Sequence, residues 1–435
     1  MTHDAADRPN LLFVCIDCLR NDFFGTDHAD TPFIDSLVTE GTHYTNLYST
    51  TTTTTPAVTS FMTGTYSERN GVFSLEEARL NEAVPTLAEH LSAAGYDTHA
   101  LVTGPIVEDT GLDRGFDEYD YRDRREELVG DWYDEAEETV EDLTGGDPFF
   151  LYLHLWEIHT PVEVPAEYDD PEYGAYPYAR TLAALDRSLE RLCEILPEDT
   201  VVAFHGDHGE AIAYRDSALQ KTLKLMRTGL RHGLGIDTRA TERKLKRRFD
   251  RQPPIHDHFL EDAHGENVFD FTTNVPLVLV GPGIDSESVD AQVRQVDVMP
   301  TLLDAVGVDR GTLFDSENAT ATADGGPREL PIDGKSLLPP ADVTDRDAYM
   351  RACGKALVSE KNWQRAIRAN GWKYVEYPNR DWDWELYDLD SDPQELNPVD
   401  NERVAGRMQQ RLPEEGMRDG EKLEIDGLLK DLGYK

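Results

Sequence analysis

Residues 49–64 read STTTTTTPAVTSFMTG: Ser49, six consecutive threonines, Pro56, and a stretch ending in Thr63-Gly64. A β-branched side chain restricts χ1, so a threonine run disfavours helix, whereas proline is tolerated in a helix's first turn. The pattern predicts a loop ending at Thr54 or Thr55 and a helix starting near Pro56. Several hydroxyls then sit at a helix N-terminus. Unpaired backbone N–H groups and the positive end of the helix dipole gather there, which suits an anionic ester and makes one hydroxyl a candidate nucleophile. Taken alone, the stretch is better explained by a hydroxyl N-cap on a solvated loop.

Outward from this stretch, helix and strand alternate. Residues 11–17, LLFVCID, form a continuous apolar run that closes on a carboxylate, as expected of a strand covered on both faces. Functional residues of such sheets sit at the carboxyl ends of strands, so Asp17 is a candidate ligand, or else a helix N-cap. Residues 149–155, FFLYLHL, read as a second buried strand, with His159 just past its end at a Thr160-Pro161 bend. Residues 200–204 read as a third strand and run directly into His205-Gly206-Asp207-His208-Gly209-Glu210. Two glycines around Asp-His permit a tight turn that points both side chains the same way, an arrangement typical of a metal site. Further strands are predicted at 98–103 and 275–281, and helices at 31–40, 84–94, 178–196 and 296–306. The charged, aromatic stretch 113–123 reads as surface loop. Residues 310–345, rich in Gly, Pro and Asp, read as a linker or long excursion, followed by short antiparallel strands within 355–377 and 382–389 and a polar helix near 400–412.

Composition narrows the partners. The 435 residues carry 85 acidic against 42 basic side chains, a net charge of −43, and only 11 of the basic ones are lysine. Such acidity predicts a hydrated surface built for high salt, and it argues against a nucleic-acid partner because a phosphate backbone would be repelled. No run of about 18 apolar residues occurs and the N-terminus lacks a signal pattern, so a cytoplasmic protein without a membrane span is expected. Four cysteines are too few for a disulfide framework, and the Cys15-x-x-Cys18 pair has no second pair to complete a zinc site. Residues 214–262 run against the trend, with twelve Lys or Arg and seven Asp or Glu. They read as a lid attracting an anionic substrate, or as a solvated helix pair or oligomer contact.

Asp17, Thr54, Asp207 and His208 supply oxygen donors and one imidazole at strand ends and a helix start. Two carboxylates about 4 Å apart repel by roughly 4 kcal/mol at an effective dielectric of about 20, so their convergence calls for a cation. Oxygen donors suit Ca²⁺ or Mg²⁺, and the imidazole shifts the choice towards Mn²⁺ or Zn²⁺. Coordination would stabilise the alkoxide of a threonine, otherwise a poor nucleophile. General acid–base help is worth about 3–5 kcal/mol of the roughly 8–23 kcal/mol that enzymes remove, so metal and fixed dipoles must supply most of the rest. His159 and His264 are the candidates for leaving-group protonation and oxygen stabilisation.

Together these segments resemble the sulfatase family of the alkaline phosphatase superfamily. The blocks PNLLFVCIDCLRND, TPFIDSLVTEGTHYTNLYS, PAVTSFMTGTYSERNGV, LAEHLSAAGYDTHAL, RGFDEYDY, FFLYLHLWEIHTP, FHGDHGE, HGENVFDFTTNVPLVLVGPG, VDVMPTLLDAVGV, DGKSLLP and ELYDLDSDPQELNP each match a family block, in order. The resemblance implies an α/β fold, an alkaline-phosphatase-like mixed sheet sandwiched by helices, with a smaller C-terminal α+β domain. It places a catalytic domain at 8–310, with 214–262 as a basic insertion, and the small domain at 330–435.

The departures bear on chemistry. Family sulfatases carry Cys or Ser ten residues before the glycine of the T-G pair and convert it to formylglycine; here that position is Thr54, which cannot be so converted. Pro56 keeps register, but Val58 stands where the arginine belongs. Cys18 replaces the usual second aspartate, and the lysine expected near Thr103 is absent. The set of acidic residue, threonine, aspartate and histidine instead resembles lipoteichoic acid synthases and related phosphoglycerol transferases. By that resemblance Asp17, Thr54, Asp207 and His208 hold one divalent ion, Mn²⁺ or Zn²⁺ ahead of Ca²⁺ or Mg²⁺, and His159 and His264 contact the substrate. The implied activity is a metal-dependent hydrolase or transferase of phosphate esters through Thr54, acting on an anionic small-molecule or glycan ester. The alternatives are a sulfuric ester hydrolase, a two-metal phosphodiesterase using Glu157, His159 and His264, and an inactive homologue that binds anions through 214–262.

Overall fold

The computed structural model describes residues 8–432 except 77, 215–216, 250–254, 262–263, 311–331, 354–362 and 415–422. Its centre is β1, Asn10–Ile16, in which every residue is buried. Alternate side chains of a strand leave by opposite faces. Leu11, Phe13 and Cys15 pack with Val58, Phe61 and Met62 of the helix Thr54–Thr63 and with the helix Val298–Ala305. Leu12, Val14 and Ile16 pack on the other face with Ile34, Leu37 and the helix Pro177–Glu194. Two covered faces explain why the run is apolar throughout. The Phe13 ring meets Phe61 edge-on at 5.4 Å, and truncating it to alanine would cost about 3–5 kcal/mol.

Eight further strands complete this mixed sheet: β2 Thr42–Tyr48, β3 Asp97–Val102, β4 Glu118–Tyr121, β5 Phe149–Leu155, β6 Thr200–Gly206, β7 Asn274–Val280, β8 Glu287–Val289 and β9 Val293–Arg294. The order is β4-β3-β5-β1-β6-β7-β2-β8, with β9 also on β2; β7 runs antiparallel to both its neighbours. Register fixes the site. Ile16 lies opposite Leu155 in β5 and Gly206 in β6, so the carboxyl ends of three adjacent parallel strands finish level. Asp17, the segment leading to His159, and Asp207 therefore emerge side by side.

A second sheet, β10 Ala348–Ala352, β11 Gln364–Ala369, β12 Trp372–Glu376 and β13 Glu385–Asp388, is antiparallel throughout. It docks on the main unit through the threonine loop, where Arg351 N donates to Thr50 O at 2.9 Å. The expected start of a small domain at 330 lies outside the described residues. Of the two readings of 310–345, linker or long excursion, the described part behaves as an excursion that packs on the main unit: Asp333 N donates to Gly64 O, and Tyr44 donates its phenol proton to Leu337 O at 2.9 Å. The stretch 113–123 is not all loop, because β4 pairs with β3 at the sheet edge, where three of its four residues are exposed. No described helix is long and apolar enough to cross a membrane.

Candidate active site

None of the hydroxyls from Ser49 to Thr55 is solvated; all seven residues are buried. The helix begins at Thr54, two residues earlier than the proline suggested, which leaves Pro56 in the first turn, where no N–H is needed. Thr53 occupies the N-cap position but its side chain makes no capping bond. Inside the helix, Thr59 and Thr63 donate to the carbonyls of Thr55 and Thr59 at 2.7 and 2.6 Å, which satisfies their hydroxyls locally. Thr55 donates to Pro105 O at 2.7 Å. The hydroxyl of Thr54 is turned to the strand ends. It donates to Asp17 Oδ2 at 3.0 Å and lies 3.4 Å from His208 Nε2.

Asp207 is held by the backbone around it: its Oδ1 accepts from Cys18 N at 2.9 Å and His208 N at 2.7 Å, and its Oδ2 lies 3.2 Å from His208 Nε2. The two flanking glycines serve close packing: a Cβ on Gly206 would meet Leu19 O at 2.4 Å, and one on Gly209 would meet Phe271 O at 2.2 Å. His264 stands beside His208, ring centroids 4.4 Å apart, and its Nδ1 lies 3.1 Å from Glu210 Oε2. His159 stacks on Trp156 at 3.9 Å and faces His264 at 5.2 Å. All six residues singled out from the sequence, Asp17, Thr54, His159, Asp207, His208 and His264, thus come together at one end of the sheet. Glu157 does not join them; its Oε1 accepts from Leu128 N at 2.7 Å and from Arg122 at 3.3 Å.

The electrostatics fit a cation. Burial, and then the charge of Asp207, push the Asp17 carboxyl well above the usual carboxylate range. Burial lowers the imidazole of His208 to about 4, leaving a neutral ring with a lone pair to offer. Asp17 Oδ1 and Asp207 Oδ2 are buried with no hydrogen-bond partner among the described residues, an expensive condition for carboxylates that a divalent ion would relieve. Ligand atoms of Asp17, His154 and Asp207 lie within 4.8 Å of one another, as do those of Cys18, His208 and His264 and those of Asp17, Cys18 and His159.

A sulfatase family model matches residues 9–308. The chain belongs to the sulfatase family. Choline-sulfatase of Rhizobium meliloti (strain 1021) is 25% identical to it over an alignment spanning 91% of this chain and 83% of the relative. Among solved structures, the phosphonate monoester hydrolase of Agrobacterium radiobacter superposes with a TM-score of 0.64 at 19% identity, over 93% of this chain and 94% of its own. A structure solved with its substrate D-glucosamine-2-N,6-O-disulfate gives a TM-score of 0.61 at 18% identity, over 93% and 96%. At such identity these neighbours show the fold alone.

Three residues of this sulfatase-family chain receive no role from the sequence. Cys18, which stands where the family has its second aspartate, has a left-handed backbone, φ +65°, and its Sγ lies 3.7 Å from both His264 Nδ1 and Glu210 Oε2. Burial, then Asp17 and Glu210, hold its thiol protonated, well above the usual range. His154, a lone histidine in the apolar run of β5, is lowered to about 3 by burial, with Arg122 adding to the effect. A buried imidazole among apolar neighbours was the available signal. The third, Gln295, carried none.

The basic segment is not a free cationic face. Its helices Ala218–Arg227 and Arg239–Phe249, and the turn Thr228–Gly233 between them, direct several charges inward: Arg227 pairs with Glu261 and Glu266 at 2.7 Å each, Arg231 with Glu242 at 3.2 Å, and Arg243 with Glu385 at 2.6 Å.

Proposed function

We propose that the protein is a metal-dependent hydrolase or transferase of anionic esters in which Thr54 is the nucleophile and phosphorus esters are preferred. The observation that carries this reading is the 3.0 Å bond from the buried Thr54 hydroxyl to Asp17 Oδ2, made at the first residue of a ten-residue helix. Asp17, Thr54, Asp207 and His208 would hold the divalent ion, which when bound would offset the carboxylate repulsion and acidify the threonine hydroxyl. The chain's own groups do the remainder. Asp17 Oδ2 fixes the hydroxyl's direction and receives its proton as the new ester bond to Thr54 forms. The helix N-terminus faces the ester oxygens with unpaired N–H groups. His264, oriented by Glu210, or His159 gives a proton to the departing alcohol as its bond breaks. Attack by water, or by a second alcohol, then frees Thr54.

The second reading, a sulfuric ester hydrolase, is favoured by the similarity to choline-sulfatase over 91% of the chain. Against it stands Thr54 at the position where a formylglycine would be formed. A panel of aryl phosphate mono- and diesters, an aryl phosphonate and an aryl sulfate, run in molar salt with Mn²⁺, Zn²⁺, Mg²⁺ or Ca²⁺, separates the two. The proposal expects a phosphorus ester to be cleaved fastest. Faster cleavage of the sulfate than of every phosphorus ester would overturn it.

A further inference from the structure

Beside the cluster lies a cavity of about 630 Å³ whose wall includes Val162, Tyr176, Tyr178, Ile212, Ala213 and Lys221, within the roughly 300–1,000 Å³ usual for small-molecule sites. It is built from the loops that carry the cluster. Thr160, also in its wall, follows His159 and donates to Glu210 Oε2 at 3.2 Å, the carboxylate paired with His264. Tyr178 donates its phenol proton to Cys18 O at 2.8 Å.

The lining is informative in a chain with 85 acidic residues: no described wall residue is acidic, and the charged one is Lys221. Seven large hydrophobic side chains are exposed among the described residues, and six of them, Leu219, Leu225, Met226, Leu230, Leu234 and Ile236, fall in the one segment that contains Lys221. Leu225, 74% exposed, lies one turn beyond Lys221 on the same helix face.

Resting on the reading of the cluster as an ester site, we infer that the cavity receives the apolar alcohol arm of the substrate, an alkyl or aryl group. The anionic head sits at the cluster, and the far end of the arm runs out over Leu225. Apolar walls gain from burying such an arm, and Lys221 disfavours a cationic alcohol such as choline.

The test is binding of n-alkyl sulfates, ethyl to hexyl, and of choline-O-sulfate to the Thr54→Ala protein, by calorimetry in molar salt with the divalent ion present. Affinity is expected to rise about fourfold per methylene, and choline-O-sulfate to bind at least tenfold more weakly than the hexyl ester. Val162→Asn and Leu225→Asn, both at solvent-accessible positions, are expected to weaken hexyl binding about fivefold and leave ethyl sulfate unchanged. An affinity flat with chain length, or tighter binding of choline-O-sulfate, would overturn the inference. Turnover by the unmutated protein is scored separately. Turnover without a chain-length trend removes the arm and keeps the ester site, whereas a trend in binding without turnover keeps the arm and removes the chemistry.

Discussion

The side-chain amide of Gln295 donates to the carbonyl of Asp207 at 2.7 Å, and its Oε1 accepts from the backbone N–H of Thr50 at 3.1 Å. One buried amide thus ties the strand end bearing a candidate ligand to the loop that delivers Thr54. His205 backs it, with Nδ1 on Pro276 O at 2.8 Å and Nε2 3.2 Å from the Gln295 nitrogen. Gln295→Leu would take this partner from the buried Thr50 N–H and from His205 Nε2, while the Asp207 carbonyl keeps the Ser49 hydroxyl at 2.8 Å, a loss of about 1–3 kcal/mol. Because misplacing a reacting group by about 1 Å can cost roughly 100-fold, kcat is expected to fall about that much. Thermal unfolding and metal titration run beside the kinetics distinguish positioning from simple loosening. A variant that melts earlier but keeps kcat and metal affinity would show that the amide only holds the fold.

Replacing the candidate nucleophile gives the most direct chemical prediction. Thr54→Ala is expected to abolish measurable turnover, since removing a nucleophile costs up to about 10⁶ in kcat. Thr54→Ser should retain turnover within roughly 100-fold, because the hydroxyl survives while the methyl that restricts χ1 is lost. Intact mass of the native protein should show unmodified threonine. Full activity in Thr54→Ala would remove this residue from the mechanism.

The sequence displayed those parts of the site that depend on local pattern. The apolar runs of β1, β5, β6 and β7 need no partner to be recognised; Asp17, Asp207 and His208 follow directly on strand ends, and His159 stands a short turn past the end of β5. What stayed hidden depends on distant contacts. THYTNLY in β2 mixes polar and apolar residues because its neighbours β7, β8 and β9 supply the burial. EYDY in β4 is an exposed edge with no apolar face to detect. Threonines 50–55 looked solvated because a hydroxyl run is polar by composition, yet partners on β10, Gln295 and Asp17 bury them. Nothing near Gln295 in the chain announces what it touches, and Cys18 shows in the sequence only as a departure at the second-aspartate position.

Metal dependence should appear in stability as well as in activity. A ligand that binds only the folded state adds about 2.7 kcal/mol when present at about 100 times its Kd, so chelation is expected to lower the melting temperature and the readdition of Mn²⁺ or Zn²⁺ to restore it. Asp207→Asn should abolish that shift while leaving the metal-free protein no less stable, because it removes one of two buried carboxylates that repel. Elemental analysis should return one ion per chain. Two ions would favour the phosphodiesterase arrangement, and a melting temperature indifferent to chelator would count against a metal site here.

The ion pairs beneath the basic segment predict an acid limit to stability. Burial alone would raise the carboxyl of Glu261, but Arg227, then Lys246 and Lys224, outweigh it and hold the group below the usual carboxylate range. Arg227 lies 2.7 Å and Lys246 3.4 Å from its Oε1. A carboxyl depressed in the folded state binds its proton more readily when unfolded, so the stabilisation is complete above the unfolded value of about 4.3 and declines as pH falls towards the folded one. Glu261→Gln, which strands Arg227 and Lys246 in a buried setting, is expected to cost about 3–5 kcal/mol at pH 7. Its deficit relative to the native protein should shrink steadily below about pH 4. Urea unfolding in molar salt at a series of pH values measures this, and a deficit that stays constant from pH 7 to pH 3 would show that Glu261 contributes through packing and not through its charge.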